Sequence, residues 1–364
     1  MPASFAFEGK AQSHNVNFDG DSIGIQVDDK VRVRVATPLR LESNFCPKEF
    51  DTYLLVRPDV KENDVKQVFS KITGDKARIG WAIPVLSLVS DQHDFASDPH
   101  FLNYAYVALM RAVELVQGPI EVEVSEISEI DVLHLLGENS VVLVISRSTL
   151  KDGHDFDLKR ALPSLVSQGY SLCAADVDVG SSWIATPEQP SHVKILLSTK
   201  MPDDHDMVAA MLNGFVSSTR SAALQFFYLY QIVELLMERV IAIHQKEIAD
   251  SIINAGTSSS LIRGALERIG ELNSEKSRLN LVVEKYARVA GDLRDLKFEC
   301  NKLKVKLGLD AGENISDYLY PLRNYIFHNF RSFPSDAEPE LRAVVSALLA
   351  SIPIMLSRFD SANV

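Results

Sequence analysis

The apolar residues of this 364-residue chain change period once, near residue 205. Before that point they alternate. In "VRVRVATPLRLE", Val31, Val33 and Val35 share one face and Arg32 and Arg34 the other, the two-residue period of a half-buried strand. "IEVEVSEI" repeats the pattern with Ile120, Val122 and Val124 against Glu121 and Glu123, and the two stretches suit neighbouring strands with paired charges. "VVLVIS" (141–146) is apolar throughout, as a central strand buried on both faces must be, and "SLCAADVDV" and "HVKILLST" read as further strands. Between them "DPHFLNYAYVALMRAVELVQGP" predicts a helix. Asp98 is its N-cap, Pro99 lies in its first turn, Leu102, Tyr106, Leu109, Val113 and Val116 form its stripe, and Gly118-Pro119 stops it. Residues 1–205 are therefore expected to form an α+β domain.

From Asp206 onward every period is helical. The stretch from Met207 to Ile248 reads as one long helix or two consecutive ones, and Phe226 to Leu236 is apolar enough to lie inside a bundle. A Gly-Thr-Ser-Ser-Ser break (256–260) precedes a shorter helix. Leu279, Val282, Tyr286, Val289, Leu293, Leu296, Cys300, Leu303 and Leu307 then recur with alternating spacings of 3 and 4, which predicts one helix with an unbroken heptad seam. Its partner helix is sought in the same chain or in a second copy. "GLDAGEN" ends it, Asn314 or Ser316 caps the next helix, and a last amphipathic helix runs from Glu338 to Phe359. Residues 206–364 are expected to be an all-α bundle.

Charge divides at the same place. The net charge of -12 splits into 19 Lys+Arg against 30 Asp+Glu over residues 1–205 and 18 against 19 over residues 206–364. Two domains with different work are implied, and the nearly neutral second one can still present a basic patch to phosphate. Cys46, Cys173 and Cys300 are far apart and odd in number, which points to a reducing cytoplasmic setting without a disulfide framework. No uninterrupted apolar run predicts a membrane span, and no histidine spacing, phosphate loop or dinucleotide fingerprint predicts a metal or cofactor. "DDHD" (203–206) is read as acid at a helix start rather than as a metal cluster.

One stretch does not fit a core helix. In "YPLRNYIFHNFRSF" (320–333), Arg323, Asn324 and His328 interrupt aromatic and aliphatic residues, and burying three such groups unpaired would cost several kcal/mol, roughly. The helical context with Arg-Asn, three residues and His resembles the HEPN superfamily, over about residues 206–360. Arg239 with His244 and Arg147 with His154 match the bare spacing as well. Only Arg323 combines a polar follower with a place near the end of a helical bundle.

The resemblance implies a metal-independent endoribonuclease, needing no cofactor, whose site is composed from both subunits of a homodimer or a larger even-numbered oligomer. Arg323 and His328 would be catalytic, with Asn324 orienting the histidine or binding phosphate. Glu234, in the apolar helix, would face the site, and Asp317 and Tyr318 would support it, although a helix-start acid and a packing tyrosine also account for those two. The "KLKVK" cluster of Lys302, Lys304 and Lys306, together with Arg331, would hold RNA, and Tyr320, Tyr325, Phe327 and Phe330 offer rings for bases. By the same resemblance the substrate is cellular RNA, tRNA among the candidates, in a toxin or antiviral defence role. The N-terminal domain would bind a trigger or inhibitor. The competing reading is a non-catalytic dimerisation and interaction protein, in which Arg323 pairs with Asp317 or Glu313.

Overall fold

The computed structural model describes residues 4–7, 10–12, 14–18, 23–27, 31–73, 75–115, 119–121, 127–150, 156–172, 191–197, 204–256 and 258–360. They fall into two compact units. One lies within Met1–Asp157, Gly169–Ser182 and Glu188–Ile195, the other within Leu158–Gln168, Trp183–Pro187 and Leu196–Val364. The units thus interleave along the chain, where the change of period suggests a single cut after residue 205.

The first unit is built on sheets. Its described strands are β1 (Ser4–Phe7), β2 (Lys10–Gln12), β3 (His14–Phe18), β4 (Ile23–Val27), β5 (Val31–Ala36), β6 (Phe50–Val56), β7 (Lys66–Thr73), β8 (Asp75–Pro84), β9 (Pro119–Glu121), β10 (Ile127–Asp131), β11 (Ser140–Ser146), β12 (Ser171–Leu172) and β13 (His192–Ile195). They are ordered β2-β1-β9, β10-β5-β4-β3 and β12-β6-β11-β8-β7-β13. As its apolar run requires, β11 is buried at every residue and lies between antiparallel β6 and β8. Gly80 of β8 allows the close approach, since a Cβ there would meet the Val144 carbonyl oxygen at 2.0 Å.

In β5, Val35 is buried and Arg34 exposed, in keeping with alternation. Its parallel neighbour is β10, with Ile127 opposite Arg32, whereas Ile120 belongs to β9 and pairs with β1. The expected pairing with 120–124 is thereby corrected to the next segment, and residues 122–126 lie outside the described residues, as do 173–179 and 198–199 of two other expected strands.

Helices α1 (Val85–Leu88), α2 (Pro99–Leu115) and α3 (Val132–Leu136) complete this unit. The Asp98 carboxylate caps α2, accepting from the amides of His100 at 2.8 Å and Phe101 at 2.9 Å. The helix is not buried along one stripe. From Phe101 to Leu109 every side chain is buried, in one core with Ile23, Ile25 and Val35 of the four-stranded sheet and Trp81, Val142 and Val144 of the six-stranded one. An all-round apolar helix needs such an all-round core.

The second unit is helical: α4 (Leu158–Ser167), α5 (His205–Ala210), α6 (Ala222–Ala255), α7 (Ser259–Leu272), α8 (Glu275–Leu281), α9 (Arg294–Lys306), α10 (Ile315–His328) and α11 (Glu338–Arg358). A π-helical turn, Met211–Val216, continues α5, so the long apolar stretch forms two consecutive helices. Ser221 caps α6 through its hydroxyl.

The heptad seam is not one helix. After α8 comes a π-helical turn, Val282–Tyr286, and then Arg288 in the left-handed region at φ 52°, before α9 begins. Leu279, Val282, Tyr286, Val289, Leu293, Leu296, Cys300 and Leu303 are all buried nonetheless. They form the inward stripe of two helices and a turn packed on α6, α10 and α11 of the same chain, so the seam needs no second copy. Gly308, at φ 74°, ends α9, and the Leu309 amide closes back on the Lys304 carbonyl at 2.8 Å.

The last helix and its preceding turn, Ser335–Arg358, are long and apolar enough to cross a membrane by length and composition. The sequence shows no uninterrupted run there because Glu338, Glu340 and Arg342 break it. In this unit α11 packs on α6, α9 and α4, with Leu341, Val344, Leu348, Ile352 and Met355 buried.

Candidate active site

Helix α10 contains a proline that should break it. Pro321 has no amide hydrogen, so the Asp317 carbonyl four residues earlier lacks its helical donor. Lys304 of α9 supplies one instead, its Nζ donating to that oxygen at 2.5 Å. This explains why Lys304 is buried, with its pKa lowered by burial. The repaired helix carries Arg323, Asn324 and His328.

Arg323 projects from α10 into a junction with α6 and α8. Its Nη2 donates to Glu234 Oε1 at 2.9 Å and its Nη1 to Asn324 Oδ1 at 3.0 Å, while Glu275 Oε2 of α8 lies 3.9 Å from Nη1. The guanidinium sits 4.8 Å from the Phe327 ring centre and 5.5 Å from that of Tyr230. Arg323 and Glu234 are 22% and 23% exposed, so the pair is mostly but not wholly out of water. Burial works against the Arg323 charge. The hydrogen bond to Glu234 and the charges of Glu275 and Glu234 more than offset it and hold the guanidinium above its ordinary range.

Three polar atoms converge here without a hydrogen bond among the described residues: Arg323 Nε, Glu275 Oε2 and the hydroxyl of the fully buried Tyr230. Burial pushes the Tyr230 phenol up, with the Arg323 charge pulling the other way, so it stands as a neutral group that can donate one hydrogen bond. The guanidinium already holds the Glu234 carboxylate, with Glu275 near by, and the neutral phenol and the Asn324 amide are the uncharged polar groups beside it.

His328 is the last residue of α10 and is exposed, with no hydrogen-bond partner among the described residues. At about 100° per residue it lies roughly 140° around the helix from Arg323, whereas Asn324, one turn back, shares its face. Asn324 is thus bonded to the arginine and lies on the face of the histidine. Arg323 and Glu234 are brought together by hydrogen bonds, whereas His328 stands on another side of α10.

The other expected residues divide. Tyr318 is buried, its phenol pushed up by burial beside Cys300, which suits packing. Asp317 contributes its carbonyl to Lys304 and does not pair with Arg323, and Glu313 pairs with Lys297. The basic cluster is not one patch. Lys302 is exposed, Lys304 is buried, and Lys306 bridges to Glu340 at 3.1 Å. Lys302 and Lys306, four residues apart, share a face of α9, while Lys304 lies on the opposite side and is buried, which removes Lys304 from the expected RNA surface. Arg331 is exposed in the turn after α10.

Of the rings offered for bases, Tyr320 lies beneath Lys276 and Phe327 packs on Arg323 and Phe227, while Phe330 is 52% exposed. The matches to the bare spacing have separate explanations. Arg239 binds Asp204 at 2.7 Å, His244 lies 2.9 Å from the Tyr286 hydroxyl, and Arg147 binds Asp51 at 2.6 Å. His154 lies outside the described residues. In "DDHD", Asp204 holds the N-cap position of α5, but its carboxylate turns to Arg239 instead of capping, and Asp206 pairs with Lys159. Among the described residues, no group of three or more His, Cys, Asp or Glu side chains is arranged to hold a metal.

Glu275 and Tyr230 were not legible as site residues. Glu275 follows the Ser274 cap and reads as helix-start acid, and Tyr230 reads as core. Compared with known protein families, with characterised proteins and with solved structures, the chain matches none.

Proposed function

We propose that the second unit is a HEPN-like endoribonuclease that cuts RNA at Arg323, Asn324 and His328. The observation that carries this reading is the array on α10, in which Arg323 is steadied by Glu234, Asn324 is bonded to it, and an exposed, unpartnered His328 stands on the Asn324 face. RNA brings its own nucleophile. The 2′-oxygen attacks the adjacent phosphorus as the bond from phosphorus to the 5′-oxygen breaks, leaving a 2′,3′-cyclic phosphate and a 5′-hydroxyl. One proton leaves the 2′-oxygen and one reaches the 5′-oxygen, and on this reading the His328 imidazole moves a proton at one of these atoms. Arg323 stabilises the negative charge that builds on the non-bridging oxygens. A second copy of the chain would supply the opposing half of the cleft. Cellular RNA, with tRNA among the candidates, is the substrate this reading names, and the acidic first unit takes the part of sensor or inhibitor in a toxin or defence system.

The test is incubation of the full chain with total RNA in EDTA, with the new ends identified. Cleavage leaving cyclic phosphate ends is expected, and Arg323→Ala and His328→Ala should each reduce it about a hundred- to ten-thousand-fold in a chain that stays folded, with the melting temperature unchanged for His328→Ala. Undiminished cleavage by both folded variants would end this assignment.

A second reading has its own support. Arg323 already holds a carboxylate and lies against two rings, as a structural ion pair does. In that case the unit is an interaction module. The wild-type chain should then cut nothing, and Arg323→Ala should lower the melting temperature.

A further inference from the structure

Arg57, the first residue after β6, is only 2% exposed. A buried guanidinium ordinarily lies on a carboxylate, because an unpaired charge in the interior is strongly disfavoured. Among the described residues Arg57 has no such partner. Its side chain donates from Nη1 to the Tyr170 hydroxyl at 3.2 Å, and the guanidinium sits 5.1 Å from the centre of that ring. Nε is buried without a hydrogen bond, and Nη2 makes none among the described residues. The Nε and Nη2 hydrogens form the edge that grips two oxygens of one anion. The backbone holds this edge in place where β6 ends and β11 and β12 begin, the Arg57 amide donating to the Asn139 carbonyl at 2.9 Å and the Ser171 hydroxyl to the Val56 carbonyl at 3.4 Å. Asp59, two residues on, is exposed, so the buried edge lies near the surface. Lys66, at the start of β7, is 6% exposed and close enough for the Arg57 charge to act on its own. Asp64 is the nearby acid, acting on both Lys66 and the Tyr170 phenol, and its Oδ2 accepts from the Lys61 amide at 2.8 Å. Two buried cations against one acid leave a positive excess.

We infer that the Nε–Nη2 edge of Arg57, with Lys66 beside it, binds a phosphate group, carried by the free ion or by a phosphate ester. The fork takes two of its oxygens, and its charge of about −1.5 to −2 near pH 7 answers the positive excess. A carboxylate fits the fork but brings one negative charge. An apolar or cationic ligand would leave the buried guanidinium uncompensated. All of these residues belong to the first unit, so the site stands apart from the ribonuclease reading of the second.

The experiment titrates inorganic phosphate into the full chain at about pH 7 by calorimetry, with sodium chloride holding the ionic strength constant. Saturable binding at a single site is expected, with acetate at least about tenfold weaker. Arg57→Met, which removes the charge at similar bulk, should weaken phosphate binding at least about tenfold, and Tyr170→Phe, which removes the anchor of Nη1, about 2- to 10-fold. Phosphate also stabilises folded proteins in general by exclusion from their surface, so melting temperatures are measured alongside. The rise with phosphate should be larger in the wild type than in Arg57→Met, and an equal rise in both overturns the site. Absence of saturable binding, or acetate bound as tightly as phosphate, overturns it as well. Binding kept in Arg57→Met and lost in Arg323→Ala does the same and places the anion on the second unit. If Arg57→Met does not fold, Arg57→Lys decides, since it keeps the charge and loses the fork, and undiminished binding by that variant refutes the proposal. Tighter binding of glycerol 3-phosphate than of inorganic phosphate would assign the site to an ester, and the reverse to the free ion.

Discussion

Tyr230 places a hydroxyl in the interior, beside Arg323, where it makes no hydrogen bond among the described residues. An unsatisfied buried hydroxyl costs about 1–3 kcal/mol, so packing alone would favour phenylalanine there. Tyr230→Phe is accordingly expected to leave the melting temperature unchanged or raise it by a few degrees, roughly, while RNA cleavage falls. A lower melting temperature would show that the hydroxyl is structural. The Glu234–Arg323 pair makes a second expectation. Exposed pairs couple by under about 1 kcal/mol and fully buried ones lose about 3–5 when broken, so a pair mostly out of water should couple by about 1–2 kcal/mol. A double-mutant cycle of Glu234→Ala and Arg323→Ala, read by urea unfolding, checks this, and a coupling near zero would refute the geometry. At this scale helical spacing placed Arg323, Asn324 and His328 on one helix, which is α10. It was silent on Glu275 and Tyr230 because their meeting with Arg323 depends on how α6, α8 and α10 pack, across separations that no local pattern spans.

Helix α10 survives its proline only because α9 reaches across to it. Lys304 donates to the Asp317 carbonyl that Pro321 leaves open, two residues ahead of Arg323. Lys304→Met should therefore destabilise the chain by about 1–2 kcal/mol, leaving a part-buried carbonyl without this donor. In a Pro321→Ala background the restored amide can serve that carbonyl, and the cost of Lys304→Met should shrink. Equal costs in both backgrounds, measured by urea unfolding, would separate the lysine from the proline. The same pair shows how far local pattern reaches. A basic "KLKVK" looks like a surface, and only the three-dimensional position of Asp317 reveals why its middle lysine is inside. Elements whose burial is uniform or whose caps are local, such as β11, the start of α2 and α11, could be read directly. The seam could not, because apolar spacing reports which side faces inward and carries no record of the left-handed Arg288 that divides the helix. Likewise α4 reads like any amphipathic segment between strands, and its membership of the helical unit follows from packing on α5 and α11.

Across the whole molecule, acidity and buried basicity are both concentrated before residue 206, and they set the response to pH. His93 is buried, with Nε2 3.0 Å from the Ser87 carbonyl and Nδ1 accepting from the Phe95 amide at 3.2 Å, a set of bonds that suits the neutral ring. Burial holds its pKa below the ordinary 6.5, and burial followed by the Arg78 charge does the same to His100. For a histidine lowered in the fold, the unfolded chain binds the proton more tightly. Stability is then whole above pH 6.5 and is lost as pH falls toward the folded values. Lys66, nearly buried and close to Arg57, is brought down to about 8 by burial and by that neighbour, so the unfolded chain again holds more protons between about 8 and 10.5, and stability rises with pH in that window also. The first unit should therefore melt progressively lower as pH is taken from about 7.5 to about 5.5, by at most about 1.4 kcal/mol per pH unit for each histidine. His93→Gln, which keeps a donor for the Ser87 carbonyl and removes the titrating ring, should flatten the slope without abolishing it, because His100 remains. A wild-type melting temperature that is level or rises over that descent would mean that neither ring is held neutral by the fold.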